Sequence, residues 1–158
     1  MIDSHCHLYF DKLKNNLDLV IKRAKKNGVT GILSINTQQN EFFSHLNLIN
    51  KYKSIFISYG IHPENIKSNN IPSVKDLLKF CSNNRVIGIG ETGLDFYHSI
   101  DYKKEQYIAF ENHIECSFKT NLPLIIHQRN SENEIIDVLK NYQKNHKLSV
   151  VFHCFTGS

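Results

Sequence analysis

Six short runs of Ile, Val, Leu, Phe and Ser alternate with stretches of helical spacing, and this alternation most restricts what the 158-residue chain can fold into. The runs are Met1–Leu8, Gly31–Asn36, Ile55–Gly60, Val86–Gly90, Pro123–His127 and Ser149–His153. Their length and content are those of buried parallel strands. Between them, Asn16–Lys26 places Leu17, Val20, Ile21 and Ala24 at amphipathic spacing, and Glu41–Lys51 does the same with Phe42, Leu46 and Ile49. Pro72 and Ser73 open a helix holding Leu77, Leu78 and Cys81, Tyr102–Phe118 reads as a longer helix, and Ser131-Glu132-Asn133-Glu134 reads as a capping box opening a helix through Tyr142.

Repeated β-α units call for a parallel sheet in one α/β domain over residues 1–158. Two architectures accept them: an open doubly wound sheet or a (β/α)₈ TIM-type barrel. Polar residues at the C-terminal ends of several strands favour the barrel, whose active sites are built there. Six units are two short of a closed barrel, so the expectation is an incomplete one.

The polar residues at those ends carry the chemistry. His5 and His7 flank Cys6, so strand alternation turns both imidazoles one way and the thiol the other. Alone, such a pair is a weak signal. Glu91, His127 and His153 at later strand ends bring the set to four imidazoles and a carboxylate, a donor set suited to one or two divalent ions. Two close ions usually share a carboxylate, and Glu91 is the candidate; the plain alternative is a cap in a Gly-rich turn. The glycines of Gly88-Ile89-Gly90-Glu91-Thr92-Gly93 are read as tight backbone where strand becomes loop. Asp95 either orients a ligating histidine or serves its own turn. His62, after the third strand, is read as a phosphate holder or proton donor, or as a rim residue without a chemical role. Arg129 suits a substrate phosphate, or pairs with a nearby helix carboxylate. His45, His98, His113 and His146 fall in helix or loop patterns and are read as non-ligands.

Composition narrows the setting. Apolar residues at 41% and charged residues at 22% are those of a soluble globular chain. The net charge of +4 is spread out, and Lys22-Arg23-Ala24-Lys25-Lys26 reads as a solvated helix face. The four cysteines have no CxxC spacing, and Cys6 and Cys154 are expected as small core residues. No secretory signal or membrane span is evident, so a reduced, cytoplasmic setting is expected.

Taken together, Ile2-Asp3-Ser4-His5-Cys6-His7, Gly60-Ile61-His62-Pro63, Ile87 through Tyr97, Asn121 through His127 and His153-Cys154-Phe155-Thr156-Gly157 resemble the TatD family of metal-dependent deoxyribonucleases. The resemblance implies a (β/α)₈-type fold and a site for two divalent ions of the Mg, Mn or Zn class. It implies His5 and His7 on one ion, Glu91 bridging, and His127 and His153 on the other. The implied reaction is phosphodiester hydrolysis at DNA 3′ ends, with DNA as partner. Hydrolysis of another ester, such as an aminoacyl ester on tRNA, and an inactive remnant are the alternative readings. Gln128-Arg129-Asn130 departs from the family's usual Ser-Arg-Asp. The family also continues for roughly another hundred residues, with two more strands and an aspartate ligand. Open edges at the first and sixth strands are therefore expected. A gene fragment, a complementing polypeptide or self-association would each account for them.

Overall fold

Each of the six apolar runs forms a strand, and every neighbouring pair is parallel. The computed structural model describes residues 1–97, 99–144 and 147–154. The strands are β1 (Ile2–Cys6), β2 (Gly31–Ile35), β3 (Ile55–Tyr59), β4 (Val86–Asp95), β5 (Leu124–Arg129) and β6 (Val150–Phe152). The helices are α1 (Asp11–Lys14), α2 (Leu17–Lys26), α3 (Phe42–Ile49), α4 (Val74–Cys81), α5 (Lys103–Thr120) and α6 (Glu132–Gln143). Single 3₁₀ turns at Gln39–Glu41 and Pro63–Asn65 lead out of β2 and β3.

The strand order is β1-β2-β3-β4-β5-β6, without a reversal. A doubly wound sheet needs a point where the order switches, so that alternative is set aside. Crossovers of one hand along an unreversed order put the helices on one face. The core lies between them and the sheet. It contains Leu17 and Ile21 of α2, Phe42 and Ile49 of α3, Leu77 and Phe80 of α4, and Phe110 and Ile114 of α5. They pack with Ile55, Ile57, Tyr59, Ile89, Leu124 and Ile126 of the strands. Truncating a residue as buried as Phe110 to Ala costs about 3–5 kcal/mol.

The sheet is strongly curled. Neighbouring strands lie about 4.8 Å apart, so the edges of a flat six-stranded sheet would be about 24 Å apart. Yet the rings of His5, on β1, and His153, directly after β6, stack with centroids 3.4 Å apart. The mouth of the open barrel therefore gathers residues from both edge strands.

Two local expectations are corrected. The fourth strand does not end at Gly90. It runs on to Asp95 after a register shift, pairing Thr92 with Ile126, Gly93 with His127 and Asp95 with Arg129. Gly90 and Gly93 have φ of 139° and 143°, and a Cβ on either would collide with the backbone carbonyl oxygen of Ile125 or His127. The glycines thus admit a close partner strand instead of making a turn. Ser131 stands at the start of α6 but does not cap it; its Oγ donates to Leu94 O at 2.7 Å and ties the helix to β4. Ser73 does cap α4, accepting from Asp76 N–H at 3.2 Å.

Candidate metal centre

Glu91 sits near the middle of β4, 2% exposed, with its two carboxylate oxygens facing different partners. Oε2 is 3.3 Å from His5 Nε2 and 3.7 Å from His7 Nε2. Oε1 is 3.1 Å from His127 Nδ1 and 3.8 Å from His62 Nε2. Two sets of three side chains result, His5–Glu91–His153 and His62–Glu91–His127. In each, ligand-type atoms lie within 4.8 Å of one another. Strand order explains the second set: β3 and β5 flank β4, so His62 just after β3 and His127 within β5 fall beside Glu91. The first set arises from the curl, which returns β1 and β6 to the same mouth.

Burial and charge oppose each other here. Burial raises the Glu91 carboxyl, but hydrogen bonds with His127 and His5 outweigh it and hold the group well below the carboxylate range. Burial lowers His7 and His153, and takes His62 down to about 4, with the neighbouring His127 adding to the effect. His127 is the exception. Burial would lower it, yet hydrogen bonds to Glu91 and Asp95 raise it. Its Nε2 lies 2.9 Å from Asp95 Oδ2 while Nδ1 faces Glu91, and Asp95 Oδ1 also accepts from Tyr97 N–H at 3.0 Å. Asp95 therefore both orients a histidine and closes its own turn.

The donor set fits a divalent cation. His5 Nε2 and His7 Nε2 face each other at 3.2 Å with Glu91 Oε2 alongside, and His7 Nδ1 is buried with no hydrogen-bond partner among the described residues. Imidazole nitrogens converging on one ionised carboxylate are ligands for zinc- or manganese-class ions. A carboxylate behind a ligating histidine, as Asp95 stands behind His127, is the usual second partner in such sites.

A protein-family model described as TatD related DNase matches residues 2–158. The chain belongs to this family. An uncharacterized metal-dependent hydrolase of Buchnera aphidicola subsp. Baizongia pistaciae is 40% identical over 160 residues, covering 99% of this chain and 59% of the relative. A protein of Erwinia amylovora named 3′-5′ ssDNA/RNA exonuclease TatD is 28% identical, covering 100% of this chain and 61% of that one. The crystal structure of YJJV, a TatD homolog from Escherichia coli, superposes with a TM-score of 0.87 at 25% identity, over 100% of this chain and 61% of that one. The chain thus spans about 60% of the length of these TatD relatives. Its six parallel strands form a half-barrel of the TatD TIM-barrel fold.

Within the TatD half-barrel, the structure brings His5, His7, His62, Glu91, His127 and His153 to one mouth. Distance groups them otherwise than the resemblance implies: His153 lies with His5, and His62 lies with His127. Arg129 is at the rim with its guanidinium 3.7 Å from the centre of the Tyr97 ring, a partner the sequence did not announce. Cys154 is exposed, against the expectation of a core residue; β6 ends at Phe152 and Cys154 has φ 50°, so strand alternation no longer applies to it. Cys6 packs against the core, and burial, then the Asp3 charge, push its thiol up to about 11. His45 and His113 lie in helices behind the sheet. His45 Nε2 bonds Ser34 Oγ at 2.7 Å, and His113 Nε2 accepts from Ile61 N–H at 3.1 Å. His98, His146 and the Phe155–Ser158 part of the last motif lie outside the described residues. No helix among the described residues is long and apolar enough to cross a membrane.

Proposed function

We propose that the site is a divalent-metal hydrolase centre acting on phosphodiesters of a DNA strand, with release of nucleotides from the 3′ end. The observation that carries this reading is the split environment of Glu91, one buried carboxylate serving two groups of imidazoles. His5, His7 and His153 would hold one ion and His127 another, with Glu91 between them. Such ions supply the charge that ionises water near neutral pH and offsets charge developing on a phosphoryl oxygen. Asp95 keeps a proton on His127 Nε2, which leaves Nδ1 directed at Glu91. Nδ1 of His62 accepts from Glu64 N–H at 3.3 Å, so the His62 proton sits on Nε2, toward Glu91. His62 is therefore a neutral hydrogen-bond donor for a phosphoryl oxygen. Arg129, held over Tyr97, supplies a planar cation for a neighbouring phosphate.

Support for a nucleic-acid substrate comes from the name of the Erwinia relative and from the Arg129 guanidinium at the rim. Hydrolysis of another ester, including an aminoacyl ester on tRNA, uses the same groups and is the second reading. A cytoplasmic setting, and self-association or a complementing polypeptide at the β1 and β6 edges, belong to the same proposal; sedimentation at micromolar concentration tests the association. The deciding assay is nucleotide release from 3′-labelled single-stranded DNA with Mg²⁺ or Mn²⁺, beside Glu91→Ala. Release abolished both by EDTA and by Glu91→Ala is the expected result. A metal-loaded, folded chain that leaves the DNA intact would overturn the deoxyribonuclease reading for this chain.

A further inference from the structure

A second concavity opens beside the mouth. The loops that follow β2 and β3 enclose a cleft of about 720 Å³, within the range of small-ligand sites. Gln38, Gln39 and Asn40 line one wall, and their side-chain amides form no hydrogen bond among the described residues. Phe43 is 64% exposed in the same cleft, held edge-on by Phe42 at 5.5 Å and against Phe80 at 5.7 Å. Lys67 adds one cation and Glu64 one anion.

The cleft is close to the metal centre. Glu64 Oε2 lies 3.9 Å from His62 Nδ1, and His62 Nε2 lies 3.8 Å from Glu91 Oε1. The His62 imidazole stands between Glu64, on the cleft wall, and Glu91. The walls are also already built. Thr37 O accepts from His62 N–H at 3.0 Å and from Asn65 Nδ2 at 3.2 Å, joining the two loops. Asn70 then braces the far wall, donating to Asn65 O at 2.7 Å and accepting from Lys67 N–H at 2.6 Å.

These features fit one class of ligand. A carboxamide offers a donor and an acceptor in one plane, as the edge of a nucleobase requires. An exposed, braced phenyl ring offers a stacking face to any base. A purely apolar ligand would leave three amides desolvated and unpaired. We propose that the cleft is a nucleobase subsite for the nucleoside next to the phosphodiester at Glu91. Phe43 is its stacking platform, and Gln38, Gln39 and Asn40 read the base edge. The assignment rests on the phosphodiesterase reading above and adds to it where the strand lies.

Calorimetric binding of 2′-deoxyadenosine 5′-monophosphate and of base-free 2-deoxyribose 5-phosphate tests it, on the chain as it stands, on Phe43→Ala and on Phe43→Tyr. The nucleotide is expected to bind about tenfold more tightly than the sugar phosphate, with Phe43→Ala erasing the difference and Phe43→Tyr keeping it. Equal affinities in the unaltered chain, or a preference that survives Phe43→Ala, overturn the subsite. Hydrolysis of bis(4-nitrophenyl) phosphate with Mn²⁺, an ester without a base, reads the phosphodiesterase assignment separately. Failure there with the base preference intact removes that assignment and leaves the base site standing. Hydrolysis without a base preference does the reverse.

Discussion

The two flanks of Glu91 are built by different means. On one flank, His62 and His127 arrive from strands hydrogen-bonded directly to β4, so their positions follow from local pairing. On the other, His5 and His153 meet because the whole sheet curls, although their strands lie at its opposite edges. The first flank tolerates loosening of the barrel, whereas the second depends on every strand-to-strand rotation between β1 and β6. Each flank is also backed by a buried histidine. His113 holds the Ile61 amide before His62, and His45 holds Ser34 on β2, the neighbour of β1.

Acid should strain both flanks and is expected to have the largest effect. Burial keeps His45 and His113 neutral, lowering each from 6.5 to about 4. Between those values the unfolded chain binds more protons than the folded one, so stability falls as pH drops from about 6.5 toward 4. The loss is roughly 3 kcal/mol for each group. Urea unfolding at pH 7 and pH 4.5 measures it, and a His113→Gln variant should show a shallower dependence. An unchanged slope would show that His113 does not set the acid limit.

Asp95→Asn separates the flanks. Losing one carboxylate oxygen behind His127 should weaken metal binding about 10- to 100-fold on that side alone. Calorimetric titration with Mn²⁺ is expected to show one tight and one weakened site. Equal weakening of both would mean that the flanks act as a single unit.

The smallest effect is expected at Ser131→Ala. Removing the hydroxyl that ties α6 to Leu94 O should cost about 1 kcal/mol in urea unfolding, with Mn²⁺ affinity unaltered.

What was legible follows the same division. Strand alternation and the residue types at strand ends mark His5, His7, Glu91, His127 and His153 in the sequence itself, because period-2 patterns and local composition are written along the chain. Which histidine stands beside which was not, since the His5–His153 contact is a property of the curl. The extension of β4 was misread for a related reason. Gly90 and Gly93 look like turn residues by themselves, and only the closeness of β5 reveals why a side chain is excluded there. Ser131 matches a local capping pattern, yet its hydroxyl finds its partner on strand β4. Tyr97 belongs to the family-like stretch, but its contact with Arg129 is not written there, because Arg129 comes from the adjacent strand.

The single carbonyl of Thr37 has a mechanical consequence. It carries both the His62 amide and the Asn65 side chain, so it ties the two loops around the cleft to each other. Drawing one loop away from the other would have to break both hydrogen bonds together. The His62 amide proton should accordingly exchange with solvent only when the two loops part.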